Sequence, residues 1–277
     1  MRSAIAILCF ASLSSAAVAQ NRSEAQDIVL RVRTLTIVSS ELPDSERMQI
    51  VSAYQGKTYY LEELKERIRQ DLRDLGYANA AVEDGQLANL SGPPDSRSAD
   101  VAVRVFPGAK YQVEAIRFTG AKAFSPDQLR SQFPIADGSL FNATAIGKGL
   151  EKLKSLYVSN GYADFGCVPK LVYDEERPTI ALTLDLDEGR RYFFGRLFFD
   201  GVEPHAGAVQ ALRSAWKQLE GKVYDPQAVI QWVNANAPYL RPAADATPEQ
   251  YVANHANPEA HQIDIVLQFP DVPPQSP

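Results

Sequence analysis

The sequence predicts an α+β fold of tandem β-α-α-β-β units, each a small three-stranded mixed sheet with two helices on one face. Three observations predict it. Gly108-Ala-Lys-Tyr111, followed by Ile116-Arg-Phe118-Thr-Gly120, returns as Gly189-Arg-Arg-Tyr192 and Leu197-Phe-Phe199-Asp-Gly201, an offset of 81 residues at each matched position (Gly108 to Gly189). Between the copies the apolar period passes from two to about 3.6 and back, as strands and helices alternate. Gly76-Tyr77-Ala78 also recurs as Gly161-Tyr162-Ala163, each time after the second helix of a unit.

The first unit, 20–107, opens with a strand from Ile28 to Val38 whose β-branched residues suit a half-buried pleated surface. Leu42-Pro43-Asp44-Ser45-Glu46 starts a helix reaching about Tyr54, with acids in its first turn where the helix dipole favours them. Gly56 stops it. In the next helix Leu61, Leu64, Ile68, Leu72 and Leu75 share one face at spacings of three and four, and Gly76 supplies a left-handed cap. An irregular strand, Ala80 to Leu90, and a cleanly alternating one, Asp100 to Val105, complete the unit.

The second unit, 108–189, repeats this order. Its first strand runs from Tyr111 through Phe118. Ser125 caps a helix with Pro126 at its first position, Gln128 placed for a capping box and Phe124 placed to staple Leu129. Gly138-Ser-Leu-Phe141 corresponds to Gly56-Lys-Thr-Tyr59, and Ile146, Leu150, Leu153 and Tyr157 line the second helix. Gly56 to Gly138 spans 82 residues and Gly76 to Gly161 spans 85, so three residues are inserted between those landmarks. The middle strand, Gly166 to Tyr173, contains Pro169, which donates nothing to a ladder and belongs at an edge or a bulge. Ile180, Leu182, Leu184 and Leu186 alternate in the last strand.

The third unit, 190–270, starts with a strand from Tyr192 to Phe199, then helices from Ala206 to Leu219 and from Pro226 to about Asn236, the second capped by Asp225. After Asn236 the pattern departs. No Gly-Tyr-Ala follows, and a polar, alanine-rich loop with Pro248 and Pro258 precedes one strong strand, His261 to Phe269. Residues 271–277 read as a flexible tail.

Composition narrows the function. A chain of 277 residues, 45% hydrophobic and 22% charged, is ordinary globular material, which excludes fibrous and wholly disordered readings. A net charge of −6 argues against general nucleic-acid binding, which needs clustered Lys and Arg. Arg2, the apolar run Ala4 to Val18 and Ala17-Val18-Ala19 read as a cleavable signal peptide over 1–19, with Gln20 the first mature residue. A retained anchor is the competing reading of that run. Of the two cysteines, Cys9 lies inside the run without the small residues a lipoprotein site needs, and Cys167 alone survives cleavage. No internal disulfide is then available, and Cys167, among apolar neighbours, reads as a small strand hydrophobe.

Taken together, Gly-Tyr after the second helix, Glu188-Gly189-x-x-Tyr192 after the last strand and [Ile/Leu]-x-Phe-x-Gly after that resemble the POTRA (polypeptide-transport-associated) domain. In the first unit Pro107 stands where the second has Glu188. The resemblance implies the periplasmic arm of BamA/TamA-like outer-membrane assembly factors, acting without catalysis by binding unfolded outer-membrane proteins or assembly subunits. It implies a location in the periplasm, with peripheral association to the outer membrane. Because a barrel follows such arms in the family, ending at Pro277 reads as a barrel-less arm or a truncated product.

No phosphate loop, Ser-His-Asp arrangement or Cys-His pair appears, and no cofactor, metal, nucleic acid or small-molecule substrate is expected. His255, Glu259 and His261 fit no zinc spacing and read as solvated loop residues; a secreted metal-binding protein or hydrolase using them is the alternative class. A purely structural envelope adaptor is another. The expected partner site is the edge strand Gly166, Cys167, Val168, Lys170, Leu171, Val172 and Tyr173, able to accept an extended segment through backbone bonds. Pro169 and Lys170 also fit a device that discourages such pairing. Gly108, Tyr111, Gly189 and Tyr192 are the expected hinges between units.

Overall fold

The computed structural model describes residues 29–83, 85–93, 97–201, 206–240 and 252–269. The expected signal peptide, 1–19, and the tail, 271–277, lie outside the described residues, as does most of the loop containing Pro248. The described chain builds three small sheets with flanking helices, grouped into two compact units. One unit comprises the residues up to Gln112 together with Leu140–Thr144; the other comprises Val113–Ser139 and the residues from Ala145 onward.

The first sheet holds β1 (Val29–Val38), β2 (Thr58–Tyr60), β3 (Ala81–Val82), β4 (Gln86–Ser91) and β5 (Arg97–Phe106), with α1 (Asp44–Tyr54) and α2 (Leu61–Asp74) between them in the chain. β1 lies parallel to β5, and β3 and β4 pair antiparallel with the far side of β5. The apolar residues of β1 change parity, from Leu30 and Val32 to Leu35 and Ile37, yet all four are buried. A bulge makes this possible: the register against β5 shifts between Val32 and Thr34, so Arg33 is the extra residue and both halves turn toward the helices. Arg33 then pairs with Asp100 at 2.9 Å. Hydrogen bonds from Arg33, Asn89 and Thr34 hold the Asp100 carboxyl well below the usual carboxylate range. Leu64, Ile68 and Leu72 of α2 pack onto this core, as their spacing demands.

The second sheet has the order β6 (Gln112–Thr119), β8 (Thr179–Asp187), β7 (Gly166–Asp174). α3 (Pro126–Arg130) carries the expected capping box, with Gln128 N–H donating to Ser125 Oγ and Ser125 N–H to Gln128 Oε1. Phe124, expected to staple Leu129, sets its ring edge-on to Tyr157, centroids 4.9 Å apart. α4 (Ala143–Val158) has 16 residues against 14 in α2, which accounts for two of the three inserted residues.

The third sheet has the order β10 (Val252–Asn257), β11 (Gln262–Phe269), β9 (Phe193–Gly201). β9 carries a bulge like that of β1, where Phe194 and Leu197 face Ile263 and Ile265. α5 (Ala206–Trp216), α6 (Pro226–Ala235) and the one-turn α7 (Ala237–Leu240) accompany it, and Asp225 caps α6 by accepting from Gln227 N–H. Two readings are corrected here. The end of the supposed polar loop is a strand, β10, paired through six consecutive residues with β11, and His255 stands on it opposite Asp264. Val-Ala-Asn-His-Ala-Asn has no alternating pattern of its own; the hairpin with β11 makes it a strand.

Close packing in the second unit rests on a glycine. A Cβ on Gly149 of α4 would lie 2.1 Å from the ring of Phe133, itself buried. Gly149→Ala should therefore lower stability in urea unfolding by about 1–2 kcal/mol, because overpacking against a ring outweighs the helix-propensity gain of about 1 kcal/mol. An unchanged or raised midpoint would contradict this packing.

Candidate functional site

β7 ends the order of its sheet, and its nine residues from Gly166 to Asp174 pair one-to-one with β8 without a register shift. The buried β8 residues Leu186, Leu184, Leu182 and Ile180 lie opposite Cys167, Pro169, Leu171 and Tyr173, which therefore share the helix side of the sheet. Val168, Lys170 and Val172 share the other side. Val168 and Val172 are 59% and 62% exposed, and Leu171 and Tyr173 are exposed as well. A proline in an edge strand turns its nitrogen away from the ladder, so the open side of β7 carries the backbone groups of Pro169, Leu171 and their alternate neighbours.

The charges beside this edge are neutralised locally. Lys170 Nζ lies 3.4 Å from Asp185 Oδ2, and Thr119 Oγ1 donates to Asp185 Oδ1 at 2.9 Å. These bonds, Thr119 first, hold the Asp185 carboxyl below its ordinary range. Cys167 is half-buried, and burial followed by the Asp185 charge pushes its thiol pKa up, which leaves it a poor nucleophile at neutral pH.

The expected hinge residues occupy a repeated bonding pattern. Tyr111 N–H donates to Gly76 O at 2.9 Å, and Tyr111 O accepts from Phe141 N–H at 2.8 Å. Tyr192 N–H donates to Gly161 O at 2.7 Å, and Tyr192 O accepts from Tyr224 N–H at 3.0 Å. Both tyrosines are buried, while Gly108 and Gly189 stand three residues before them at φ 69° and 65°. Gly161 has φ 91°, and a Cβ there would meet Tyr192 O at 2.7 Å, so only glycine fits. Asp164 and Asn79, three residues after these glycines, answer the tyrosine hydroxyls. Tyr192 Oη donates to Asp164 Oδ2 at 2.7 Å, and Asn79 Nδ2 donates to Tyr111 Oη at 3.4 Å. Sequence reasoning overlooked these two residues, although their shared distance from Gly-Tyr-Ala marked them.

The side chains of His255, Glu259 and His261 take no part in this pattern: His255 is exposed on β10, and His261, in the turn with φ 52°, meets the joint only through its backbone oxygen, which accepts from Phe193 N–H at 2.9 Å. Among the described residues no three His, Cys, Asp or Glu side chains gather as metal ligands.

Residues 111–189, from the first joint tyrosine to the second joint glycine, match the family described as POTRA, surface antigen variable number repeat. This segment is a POTRA domain. The chain is 22% identical over 176 residues to the outer membrane protein assembly factor BamA of Buchnera aphidicola, covering 60% of this chain and 28% of that protein. Against BamA of Neisseria meningitidis serogroup B it is 23% identical over 182 residues, covering 61% of this chain and 22% of that one. The chain thus spans about a quarter of the length of the curated relatives it matches. Among solved structures, POTRA domains 3–5 of Haemophilus influenzae BamA share the fold at a TM-score of 0.60 and 20% identity, over 87% of this chain and 96% of that one.

Within the POTRA domain, Glu188 explains why its motif places an acid before the joint. Its Oε1 accepts from Lys122 N–H at 2.8 Å, Ala123 N–H at 2.9 Å and Tyr157 Oη at 2.9 Å. Burial by itself would raise the Glu188 pKa, but the two backbone donors and the Tyr157 hydroxyl outweigh it and the value falls below the ordinary one. The Tyr157 hydroxyl is pushed up in turn, by burial first and by Glu188 second, and its ring stacks on Phe165 at 4.1 Å. A carboxylate with a depressed folded pKa adds stability that is complete above its unfolded pKa, near 4.3, and is lost as pH falls through the folded value. Glu188→Gln should flatten the acid limb of the stability-versus-pH curve below about pH 5, read by thermal melts across pH. An acid limb unchanged by the substitution would remove Glu188 from this role.

The joint makes a separate prediction. Tyr192→Phe should cost about 0.5–1.5 kcal/mol, the worth of one hydrogen bond, whereas Tyr192→Ala should cost about 3–5 kcal/mol by leaving a cavity. Equal losses in chemical unfolding would mean that the ring contributes nothing beyond its hydroxyl.

Proposed function

We propose that this chain is a non-enzymatic, periplasmic protein-binding arm that serves outer-membrane protein assembly or transport. Extended segments of other proteins, either unfolded outer-membrane proteins or assembly subunits, would add as a strand to β7. The single observation that carries the reading is the regular, apolar, unshifted edge from Gly166 to Tyr173 in a domain that matches the POTRA family. Backbone bonds ask little of a client's sequence, and alternate side chains of β7 provide apolar contacts on both faces. The relatives support the process: they are named as outer membrane protein assembly factors, and the solved structure that shares the fold consists of POTRA domains from a third BamA. Three units, 20–107, 108–189 and 190–270, would form the arm. Gly108, Tyr111, Gly189 and Tyr192 would set the angles along it, with bound tyrosines limiting their freedom.

The test is photo-crosslinking in the native envelope from Val168 and Val172. Outer-membrane proteins or assembly subunits should be captured at both positions. Capture at neither would remove strand addition as the mechanism.

A further inference from the structure

We propose that β7 also pairs with β7 of a second copy of this chain, edge to edge across a two-fold axis through Val172. Pro169 and Lys170 leave one long register available for this pairing. In an antiparallel self-pair each residue number and that of its opposite sum to a constant, and outward-facing backbone groups must oppose one another. Pairing about Pro169 or about Lys170 sets the proline inside the ladder, and the latter also sets Lys170 against its own copy. Pairing about Leu171 still places Pro169 opposite Tyr173, where one ladder bond is lost because proline has no donor.

Pairing about Val172 avoids both faults. Pro169 then opposes Glu175, past the end of the strand at Asp174, and Leu171 opposes Tyr173. Lys170 faces Asp174 of the copy at both ends of the paired segment, so the symmetric arrangement makes two opposite-charge pairs. Val172, 62% exposed in the single chain, meets its own copy on the axis and gains apolar cover. Asp174 is fixed by its own turn, its Oδ1 accepting from the N–H groups of Glu176 and Arg177 and its Oδ2 from Arg177 Nε, while Lys170 is exposed and leaves its surface pair with Asp185 at small cost, so Lys170 is the side chain that moves to the copy. Among the registers that pair five or more residues of the strand Gly166–Asp174, Pro169 and Lys170 therefore leave this one instead of barring all of them. The contact is short, which makes the self-pair weak and reversible, and an added client strand would displace the copy from the same edge. The pairing itself does not depend on client binding.

Val172 lies at a non-hydrogen-bonded position of this ladder, where opposite Cα atoms stand about 4.5 Å apart, within reach of a disulfide. The experiment uses the full chain with Cys9→Ser and Cys167→Ser, adding Val172→Cys or, as the control, Val168→Cys, which would face Glu176 instead of itself. On mild oxidation Val172→Cys should give disulfide dimer at about ten times the yield of the control, the ratio that about 1.4 kcal/mol of orientation preference produces. Adding Lys170→Glu to Val172→Cys should cut that yield, since each glutamate would face Asp174. Circular dichroism of each variant establishes that it is folded. Equal yields from the two cysteine positions, no dimer from Val172→Cys, or indifference to Lys170→Glu would each overturn the proposal. None of these outcomes bears on client capture, which the crosslinks at Val168 and Val172 in the envelope decide.

Discussion

Two main-chain bonds made by a buried tyrosine hold the repeat together. Tyr192 donates to Gly161 after α4 and accepts from Tyr224 before α6, and Tyr111 bonds in the same way to Gly76 after α2 and to Phe141 before α4. Buried backbone groups must find partners, and here those partners belong to segments on either side of the joint. The constraint explains the glycines: Gly161 needs both a left-handed backbone and the absence of a Cβ for Tyr192 to approach. It also explains the strand that follows, because the tyrosine fixes where β9 begins.

Each sheet also carries a second small circuit. Val32 exchanges bonds with Lys57 and Gly56, Val113 with Ser139 and Gly138, and Phe194 with Lys222 and Gly221, all between 2.7 and 2.8 Å. The turn between the two helices is thereby tied to the first strand in all three sheets. Sequence identity plays little part, since valine and phenylalanine serve equally at a position whose backbone does the bonding. This is why the fold persists at about 20% identity to BamA domains of known structure. What differs between units is the surface that this frame presents. β4 is interrupted by a bulge at Asn89, with φ 51°, whereas β7 is regular through nine residues. A regular edge accepts a straight strand over its whole length, and a bulged one twists away from it.

Much of the candidate site was legible beforehand for reasons internal to short segments. Pro169 marked an edge because a missing donor is a property of one residue, and Ser125, Pro126 and Gln128 announced a helix start because capping acts within four residues. Asp225 did the same for α6. By contrast, β2 and β10 were not read, since three residues of Thr-Tyr-Tyr and six of Val-Ala-Asn-His-Ala-Asn carry no period of their own. Nothing local sets Gly149 apart from any helical glycine; the ring of Phe133 packed against it is what requires one. The parity change in β1 was visible in the letters, but only the register with β5 shows that a bulge at Arg33 reconciles it.

The sequence by itself determined the repeat, the long strands and helices and most helix ends, because these depend on periodicity and on contacts a few residues long. The tertiary structure decided how far the β7 edge stays regular, which glycines must be glycines and what the joint residues bond to. Those outcomes turn on groups far apart in the chain: Tyr192 meets Asp164 across 28 residues, and Glu188 meets Ala123 across 65. No local pattern encodes such a meeting, since it exists only once the helices have brought both ends against the same sheet.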